Sequence, residues 1–407
     1  MNKRIESCRE TALSVLKPSK KDLEHGLELH KNSLVWDAYG FAPTGPYDCE
    51  KIYKLIDENA SPFELIDNVE EMRSISFLDN KELMNEYKEA WEISGVKCIF
   101  QNAGAEGEGH SIQELLKRFA RFTYLLDSKR EIYRRSVFPE DIETAYREGL
   151  KTLYLTTNGV PFPTGWHSQE DAIYFIRIFF QLGCRMMHLT YNRRNFIGDG
   201  CGEKSDGGLS ELGRAVIREM NRVGIIPDVA HSGQKTSFDA AKVSEKPVVA
   251  SHSTCNTVTP HCRAKTDEVI KAIADSGGYI GICAMPGFLK RSGNIDALIE
   301  HIDYAVKKFG AEHVAIGTDA TYSLHSEIPM RYLKSRQRFA ALWPEGSLTP
   351  PEYQRDNDNN SLAWTNWPLF TVGLVQKGYS DDDIRKIIGL NVMRVAKETL
   401  KNKEKHE

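Results

Sequence analysis

Eight apolar runs recur along the chain, and each is continuously hydrophobic rather than alternating with polar positions. Continuous runs of this length are typical of strands that are buried on both faces, as in a parallel sheet. The runs span residues 33–41, 95–104, 150–159, 184–192, 224–231, 246–253, 278–286 and 313–320.

Segments with the periodicity of an amphipathic helix separate these runs, and several end at a glycine just before the next run, as at Gly183, Gly224, Gly277 and Gly310. Glycine in this place is a common helix stop. Eight strands that alternate with helices predict an α/β protein, a single (β/α)8 TIM barrel. An open doubly wound sheet is the alternative, but no GxGxxG motif follows the first run, so the dinucleotide-binding fingerprint is missing.

The chain also has segments outside the strand and helix alternation. Residues 1–32 are predicted to form an N-terminal helical arm, residues 33–400 the barrel, and residues 401–407 a polar tail. Within the barrel, residues 321–368 are rich in aromatic residues, Pro and Asn, with little periodicity. An insertion of this kind after the eighth strand is predicted to be a lid, a substrate wall or an oligomer contact. Two helices, at 380–389 and 392–400, are expected to pack on the barrel.

Composition narrows the possible partners. The net charge of −4 provides no basic field for a nucleic acid. No apolar stretch approaches the roughly 20 residues that span a bilayer, and the amino terminus lacks the hydrophobic region of a signal peptide. The eight cysteines include no CxxC pair, which favours free thiols in a reducing compartment. We therefore predict a cytoplasmic protein with a small-molecule substrate, no nucleic acid and no membrane partner, and a homo-oligomeric state, a dimer or higher.

Two histidines stand at equivalent places on successive predicted strands. GIIPDVAH ends in His231, and KPVVASHS carries His252 close to its end. If both strands run the same way, both imidazoles emerge at the carboxyl end of the barrel. One interpretation is two buried histidines bonded to the backbone. The other, which we favour, is a shared divalent ion about 2.0 Å from each ring nitrogen.

Other polar residues at the predicted strand ends complete a candidate site. Asp319 follows the eighth strand and is expected to bind the metal or to carry a proton, with an ion pair to Arg or Lys as the structural alternative. Arg263 lies in a loop eleven residues after His252. Its planar guanidinium suits a substrate carboxylate, and as a loop residue it is expected to contribute little to stability. Cys255 and Cys262 flank the site as possible nucleophiles, although no partner base is evident.

Several stretches of the chain together resemble the membrane dipeptidase (renal dipeptidase, peptidase M19) family of the amidohydrolase superfamily. They are QLGCRMMHLTYNRRN, GLSELGRAVIREMNRVGIIPDVAH, SHSTCNTVTPHCRAKTDEVIKAIADSGGYIGI, HIDYAVKKFGAEHVAIGTDA and GLVQKGYSDDDIRKIIGLNVMRV. The resemblance extends from about residue 33 to residue 400. It implies that His231 and His252 bind metal, that Arg263 contacts the substrate carboxylate, and that Asp319 handles the proton.

The chain departs from the family pattern at the metal site. The family's first strand supplies a His-x-Asp pair, where this chain has Tyr39, Gly40 and Phe41. The bridging glutamate corresponds to Asn158, and a histidine near the substrate carbonyl corresponds to Tyr191. Phenylalanine cannot bind a metal and an amide oxygen binds weakly. Tyr39, Asn158 and Tyr191 are therefore predicted, with Arg263, to contact the substrate.

These residues predict a divergent member that binds one divalent ion per chain, most simply zinc. Its predicted function is metal-dependent hydrolysis of an amide or related bond in a small substrate that bears a carboxylate. One alternative is a true binuclear zinc dipeptidase whose second ion recruits Asp37, Asp228 or His167. Another is a metal-free barrel that binds a ligand without turnover.

Overall fold

The computed structural model describes residues 2–104, 112–289, 292–324, 329–335, 341–347 and 357–400. Every predicted apolar run contains or adjoins a strand, and one further short strand, β7, was not predicted. The strands are β1 Trp36–Gly40, β2 Cys98–Asn102, β3 Thr152–Thr157, β4 Cys184–His188, β5 Ile226–Asp228, β6 Ala250–Cys255, β7 Ala264–Lys265, β8 Ile280–Ile282 and β9 Val314–Ile316.

All strand pairs within the sheet are parallel. Strands β1 to β5 follow one another in order, and β6 pairs with β8, which pairs with β9. Val229 N donates to Val249 O at 2.8 Å and joins β5 to the start of β6. Asp319 N donates to Tyr39 O at 2.9 Å and joins the end of β9 to β1. These contacts close the ring, so the predicted (β/α)8 TIM-barrel fold is confirmed.

Helices surround the strands. They are Lys3–Leu16, Lys20–Lys31, Cys49–Asp57, Pro62–Ser74, Lys81–Ser94, Ile112–Ser128, Pro139–Glu148, Gln169–Gln181, Glu211–Val223, Gln234–Val243, Asp267–Asp275, Ile295–Phe309, Met330–Ser335, Trp367–Gln376, Asp381–Arg385 and Asn391–Thr399. No helix among the described residues is both long enough and apolar enough to cross a membrane.

The N-terminal arm consists of two helices rather than one. Lys17 ends the first helix with a left-handed backbone, and Ser19 caps the second, because Pro18 cannot continue the hydrogen-bond ladder. The buried His30 links the second helix to the barrel layer, with its Nδ1 2.7 Å from Thr371 Oγ1 and its Nε2 2.9 Å from Ser94 O. The arm is therefore part of the packed structure.

The amino-terminal end of the barrel is filled by large side chains. Trp36 stacks on Phe100 with ring centroids 5.2 Å apart, and Tyr154 and Tyr279 share the same buried cluster. The helix Asn391–Thr399 adds Val392, Met393, Val395 and Ala396 to this cluster. Because this end is packed, polar side chains that need access must lie at the carboxyl end.

A buried carboxylate links the last strand to the first. Asp37 Oδ1 accepts from the backbone N–H of Thr318 at 2.9 Å, and its Oδ2 accepts from the Thr318 hydroxyl and from Trp364 Nε1. Burial raises the pKa of Asp37 to about 7, although the hydrogen bonds from Thr318 lower it. Trp364 belongs to the predicted 321–368 insertion, so the end of that segment is core rather than lid.

Candidate metal centre

His231 and His252 meet at the carboxyl end of the barrel. Their Nε2 atoms are 3.0 Å apart, and both side chains are buried. When two imidazoles bind the same tetrahedral ion, each at about 2.0–2.1 Å, their two ligand nitrogens lie about 3.3 Å apart. The sequence-based expectation that the two rings converge is therefore met by their geometry.

The hydrogen bonds at the far nitrogens indicate the tautomer of each ring. His231 Nδ1 donates to Asn192 Oδ1 at 2.7 Å. The Ser251 hydroxyl donates to Asp228 Oδ2, so its oxygen accepts from His252 Nδ1, which is 2.8 Å away. Both histidines then carry their proton on Nδ1, and their Nε2 lone pairs face each other. Such an arrangement favours a donor or a cation beside each Nε2.

Burial holds both rings in the neutral form. It lowers the pKa of His231 and of His252 well below the usual value, and the positive charge of Arg263 lowers both further. The buried ammonium of Lys265 acts in the same direction, and burial lowers its own pKa to about 8. Neutral imidazole is the form that binds metal, so this environment suits ligation.

Arg263 is fully buried beside the two histidines. Nη1 donates to Ala230 O at 3.1 Å, and Nη2 donates to His252 O and to His231 Nε2, each at 3.1 Å. The short strand β7 pulls this segment inward, because Ala264 pairs with Thr254 of β6. A small contribution to stability was expected of a loop residue, whereas this arginine is fully buried. A substrate carboxylate could reach it only by replacing these bonds.

His188 and Asp228 add a second part to the site. They are the last residues of β4 and β5, they pair in register, and both are fully buried. His188 Nε2 lies 2.7 Å from Asp228 Oδ2. Burial works to raise the pKa of Asp228, but the nearby His188 and the hydrogen bonds from Ser251 outweigh it and hold the pKa below its usual value.

Within the described residues, His188, Asp228 and His252 are the only group of three or more His, Cys, Asp or Glu with metal-site spacing. Their ligand atoms lie within 4.8 Å of one another. Two imidazoles and a carboxylate make an ordinary donor set for zinc, so the residues present fit a divalent ion. Sequence reasoning did not single out His188. The signal for it was a histidine at the end of an otherwise apolar run.

Of the ligands considered for a second ion, only Asp228 lies in this cluster. Asp37 is engaged between β1 and β9, as described above. His167 is exposed on the loop after β3. Among the described residues, one group, His188, Asp228 and His252, therefore has metal-site spacing.

Tyr39 and Tyr191 cover the histidine rings. The Tyr39 ring stacks on His252 at 3.9 Å, and the Tyr191 ring stacks on His231 at 4.1 Å. The Tyr39 hydroxyl donates to Asn158 Oδ1 at 2.7 Å. Tyr39 and Asn158, both predicted to contact the substrate, are thus bonded to each other.

Asp319 follows β9 next to this stack. It has a left-handed backbone, with φ of 53°, and its N–H donates to the carbonyl of Tyr39. A non-glycine residue in this region is uncommon and strained. The turn places Asp319 at the carboxyl end of the barrel, as the sequence predicted.

Part of the insertion lies over the histidines. The Trp343 ring centroid is 6.4 Å from that of His231, and the ring stacks on Phe288 at 5.8 Å. Arg193 Nη2 donates to the Trp343 carbonyl at 3.1 Å and holds the segment in place. A cleft of about 540 Å³ opens beside it, lined by Arg193, Arg194, Lys204 and Glu345 among others.

Two thiols also lie near the site. Cys201 and Cys262 contact each other, and the hydrogen bond from Cys201 outweighs burial and lowers the pKa of Cys262 to about 4. Burial instead raises the pKa of Cys255 to about 12. All eight cysteines are free thiols.

A profile of the membrane dipeptidase family, peptidase family M19, matches residues 50–326, well over half of the chain. The chain belongs to the membrane dipeptidase family. The resemblance inferred from the sequence motifs is thereby confirmed.

Two proteins named as dipeptidases match the chain over part of their length. Dipeptidase tcpJ of Claviceps purpurea is 27% identical over 264 residues, which is 64% of this chain and 53% of that protein. The uncharacterized dipeptidase C965.12 of Schizosaccharomyces pombe is 33% identical over 163 residues, or 38% of this chain and 39% of that protein. The matched region thus spans 53% and 39% of these two relatives.

Solved structures share the fold over nearly the whole chain. An amidohydrolase from Pseudomonas aeruginosa is 24% identical with a TM-score of 0.65, and the match covers 92% of this chain and 98% of that one. The probable dipeptidase PvdM from Pseudomonas aeruginosa is 19% identical with a TM-score of 0.67, covering 94% and 99%. At these identities the likeness supports the barrel fold.

Proposed function

We propose that this chain is a metal-dependent hydrolase that cleaves an amide or related bond in a small molecule bearing a carboxylate. The observation that carries the proposal is the buried group of His188, Asp228 and His252 at the carboxyl end of a membrane dipeptidase barrel. The relatives called dipeptidases point to a peptide-like substrate. In this proposal Trp343, which lies 6.4 Å from His231, would form a wall for a small molecule, and the cleft beside it, lined by Pro344 and Glu345 among others, would be the opening.

The group of His188, Asp228 and His252 would hold one zinc ion. When bound, zinc supplies Lewis-acid activation of water or of the scissile carbonyl. The residues around it have separate tasks. Burial and the charges of Arg263 and Lys265 keep the imidazoles neutral, and Tyr39 and Tyr191 exclude bulk water from their ring faces. Asp319, at the end of β9, would transfer the proton between the attacking water and the leaving amine.

The substrate carboxylate has two possible cationic partners. Arg263 can accept it only by giving up bonds to His231 and to the His252 carbonyl. Arg194 and Lys204 are both exposed at the cleft, where Arg194 also pairs with Asp199. We propose that the exposed cations attract the carboxylate first, and that Arg263 sets the positions of the histidines beneath it.

The experiment is a metal titration of the purified chain combined with a substrate panel. Protein stripped with a chelator should lose hydrolysis of dipeptides or N-acyl amino acids and regain it with one equivalent of zinc. Asp319→Asn should lower kcat by about 100-fold or more while the bound zinc stays unchanged.

Other outcomes would replace the proposal. Two ions per chain in native mass spectrometry would favour a binuclear dipeptidase. Full activity after exhaustive chelation would show a metal-free reaction. Substrate binding without any turnover or metal uptake would favour a ligand-binding barrel.

A further inference from the structure

We propose that the protein ligands of the ion are His188, Asp228 and His252, and that His231 is a neighbour of the ion rather than a ligand. The inference rests on the proposed function, which requires an ion, and adds which side chains hold it. It differs from the assignment made from the motifs, in which His231 and His252 form the ligand pair.

His188 is the first reason. Its side chain is fully buried, and neither ring nitrogen makes a well-formed hydrogen bond to any described residue. Nε2 is within 2.7 Å of Asp228 Oδ2, but the direction of the N–H is not that of a hydrogen bond. A buried imidazole nitrogen this close to a carboxylate oxygen, outside hydrogen-bond geometry, has a lone pair that a cation can use.

Asp228 is the second reason. Its Oδ1 accepts from the backbone N–H groups of Ala230 at 2.9 Å and Ser251 at 3.1 Å, and its Oδ2 accepts from the Ser251 hydroxyl. Acceptance at both oxygens is the behaviour of a carboxylate. These bonds also hold the group rigidly, which is typical of a carboxylate ligand supported by outer hydrogen bonds.

His252 and His231 differ in what their Nε2 atoms meet. His231 Nε2 accepts a hydrogen bond from Arg263 Nη2 at 3.1 Å, so its lone pair already has a donor. His252 Nδ1 donates to Ser251, and its Nε2 faces only the Nε2 of His231 among the described hydrogen-bonding groups. The lone pair of His252 is thus the one available to a cation. One ring nitrogen of His252 also lies within 4.8 Å of the ligand atoms of His188 and Asp228.

This ligand set makes a definite prediction about coordination. Two imidazoles and one carboxylate leave a fourth position on a tetrahedral zinc ion for water or substrate, as in catalytic sites. His231, stacked under Tyr191 and close to Trp343, would lie between the ion and the cleft. If His231 were a ligand, the guanidinium of Arg263, which donates to its Nε2, would compete with the ion for the same lone pair.

The test compares four variants of the full chain by zinc affinity, measured with a competing chelator and by native mass spectrometry. Phe is chosen because it fills the space of imidazole without a ligand atom. We expect His188→Phe and His252→Phe to weaken zinc binding by more than about 100-fold. That loss is larger than the loss caused by removing a residue that only hydrogen-bonds to a ligand. His231→Phe should weaken zinc binding by less than about 10-fold. His25→Phe, at an exposed histidine of the second helix that pairs with Asp381, is the control and should bind zinc like the wild type.

A spectroscopic measurement covers the case in which His188→Phe or His252→Phe fails to fold. X-ray absorption should show two imidazoles and oxygen ligands both in the zinc-loaded wild type and in zinc-loaded His231→Phe, and one imidazole fewer in that variant would make His231 a ligand. If His188→Phe retains wild-type affinity while His231→Phe loses it, the ligand assignment is wrong but the proposed function stands. If the wild type binds no zinc or other divalent ion, both are overturned.

Discussion

Asp37→Asn should change how the stability of the protein depends on pH. The carboxylate is fully buried and accepts hydrogen bonds from the backbone and hydroxyl of Thr318 and from Trp364 Nε1. Burial nevertheless outweighs these bonds and raises its pKa to about 7. The folded protein therefore holds the Asp37 proton more tightly than the unfolded chain does.

The size of the effect follows from the shift in pKa. The usual value is 3.8 and the folded value is about 7. Since one pH unit corresponds to about 1.4 kcal/mol, the group accounts for about 4 kcal/mol of pH-dependent unfolding free energy. Because the folded pKa is raised, this stability is fully present below pH 3.8 and is lost as the pH rises through about 7.

The assay is urea unfolding of the wild type and Asp37→Asn at pH values from 4 to 8. The asparagine amide faces the Trp364 N–H and adds a cost, but that cost does not depend on pH and leaves the slope unaffected. The wild type should lose stability relative to the variant by about 4 kcal/mol across this range. Parallel curves for the two proteins would refute the argument, since Asp37 would then have the same pKa folded and unfolded.

Asp303→Asn provides a matched control. Burial works to raise the pKa of Asp303, but hydrogen bonds from Lys307 and Tyr379 outweigh it and lower the pKa. A lowered pKa contributes stability that is present above the unfolded value and is lost as the pH falls through the folded value. The difference between the wild type and this variant should therefore slope in the opposite direction.

Two further predictions concern the site. Arg263→Met should lower the unfolding free energy, measured by urea titration, by about 2–4 kcal/mol, because the buried guanidinium donates to three acceptors. Unchanged stability would show that these bonds contribute nothing. Trp343→Phe should raise KM by up to about 10-fold with a small change in melting temperature, because an aromatic contact contributes up to about 1.5 kcal/mol and phenylalanine keeps most of the buried ring. A large loss of thermal stability without a change in KM would instead make Trp343 a structural residue.

The sequence predicted the barrel well because the signals for it are local. Eight continuous apolar runs and the glycines that end the helices depend only on neighbouring residues, and each run contains or adjoins a strand. The strand-end positions of His231, His252 and Asp319 followed from the same pattern. Family membership followed from motifs that span several of these units.

The contacts within the site depended on the tertiary structure. His188 stands at the end of an apolar run, and only the register of β4 against β5 places it beside Asp228. Arg263 had the sequence context of a loop residue, but the pairing of β7 with β6 buries it. Periodicity determines which face of a strand is apolar, since it is a property of adjacent residues. Strand register and closure of the ring set the distances between residues that are far apart in the chain. They therefore determine which polar groups meet and which nitrogen of each histidine carries its proton.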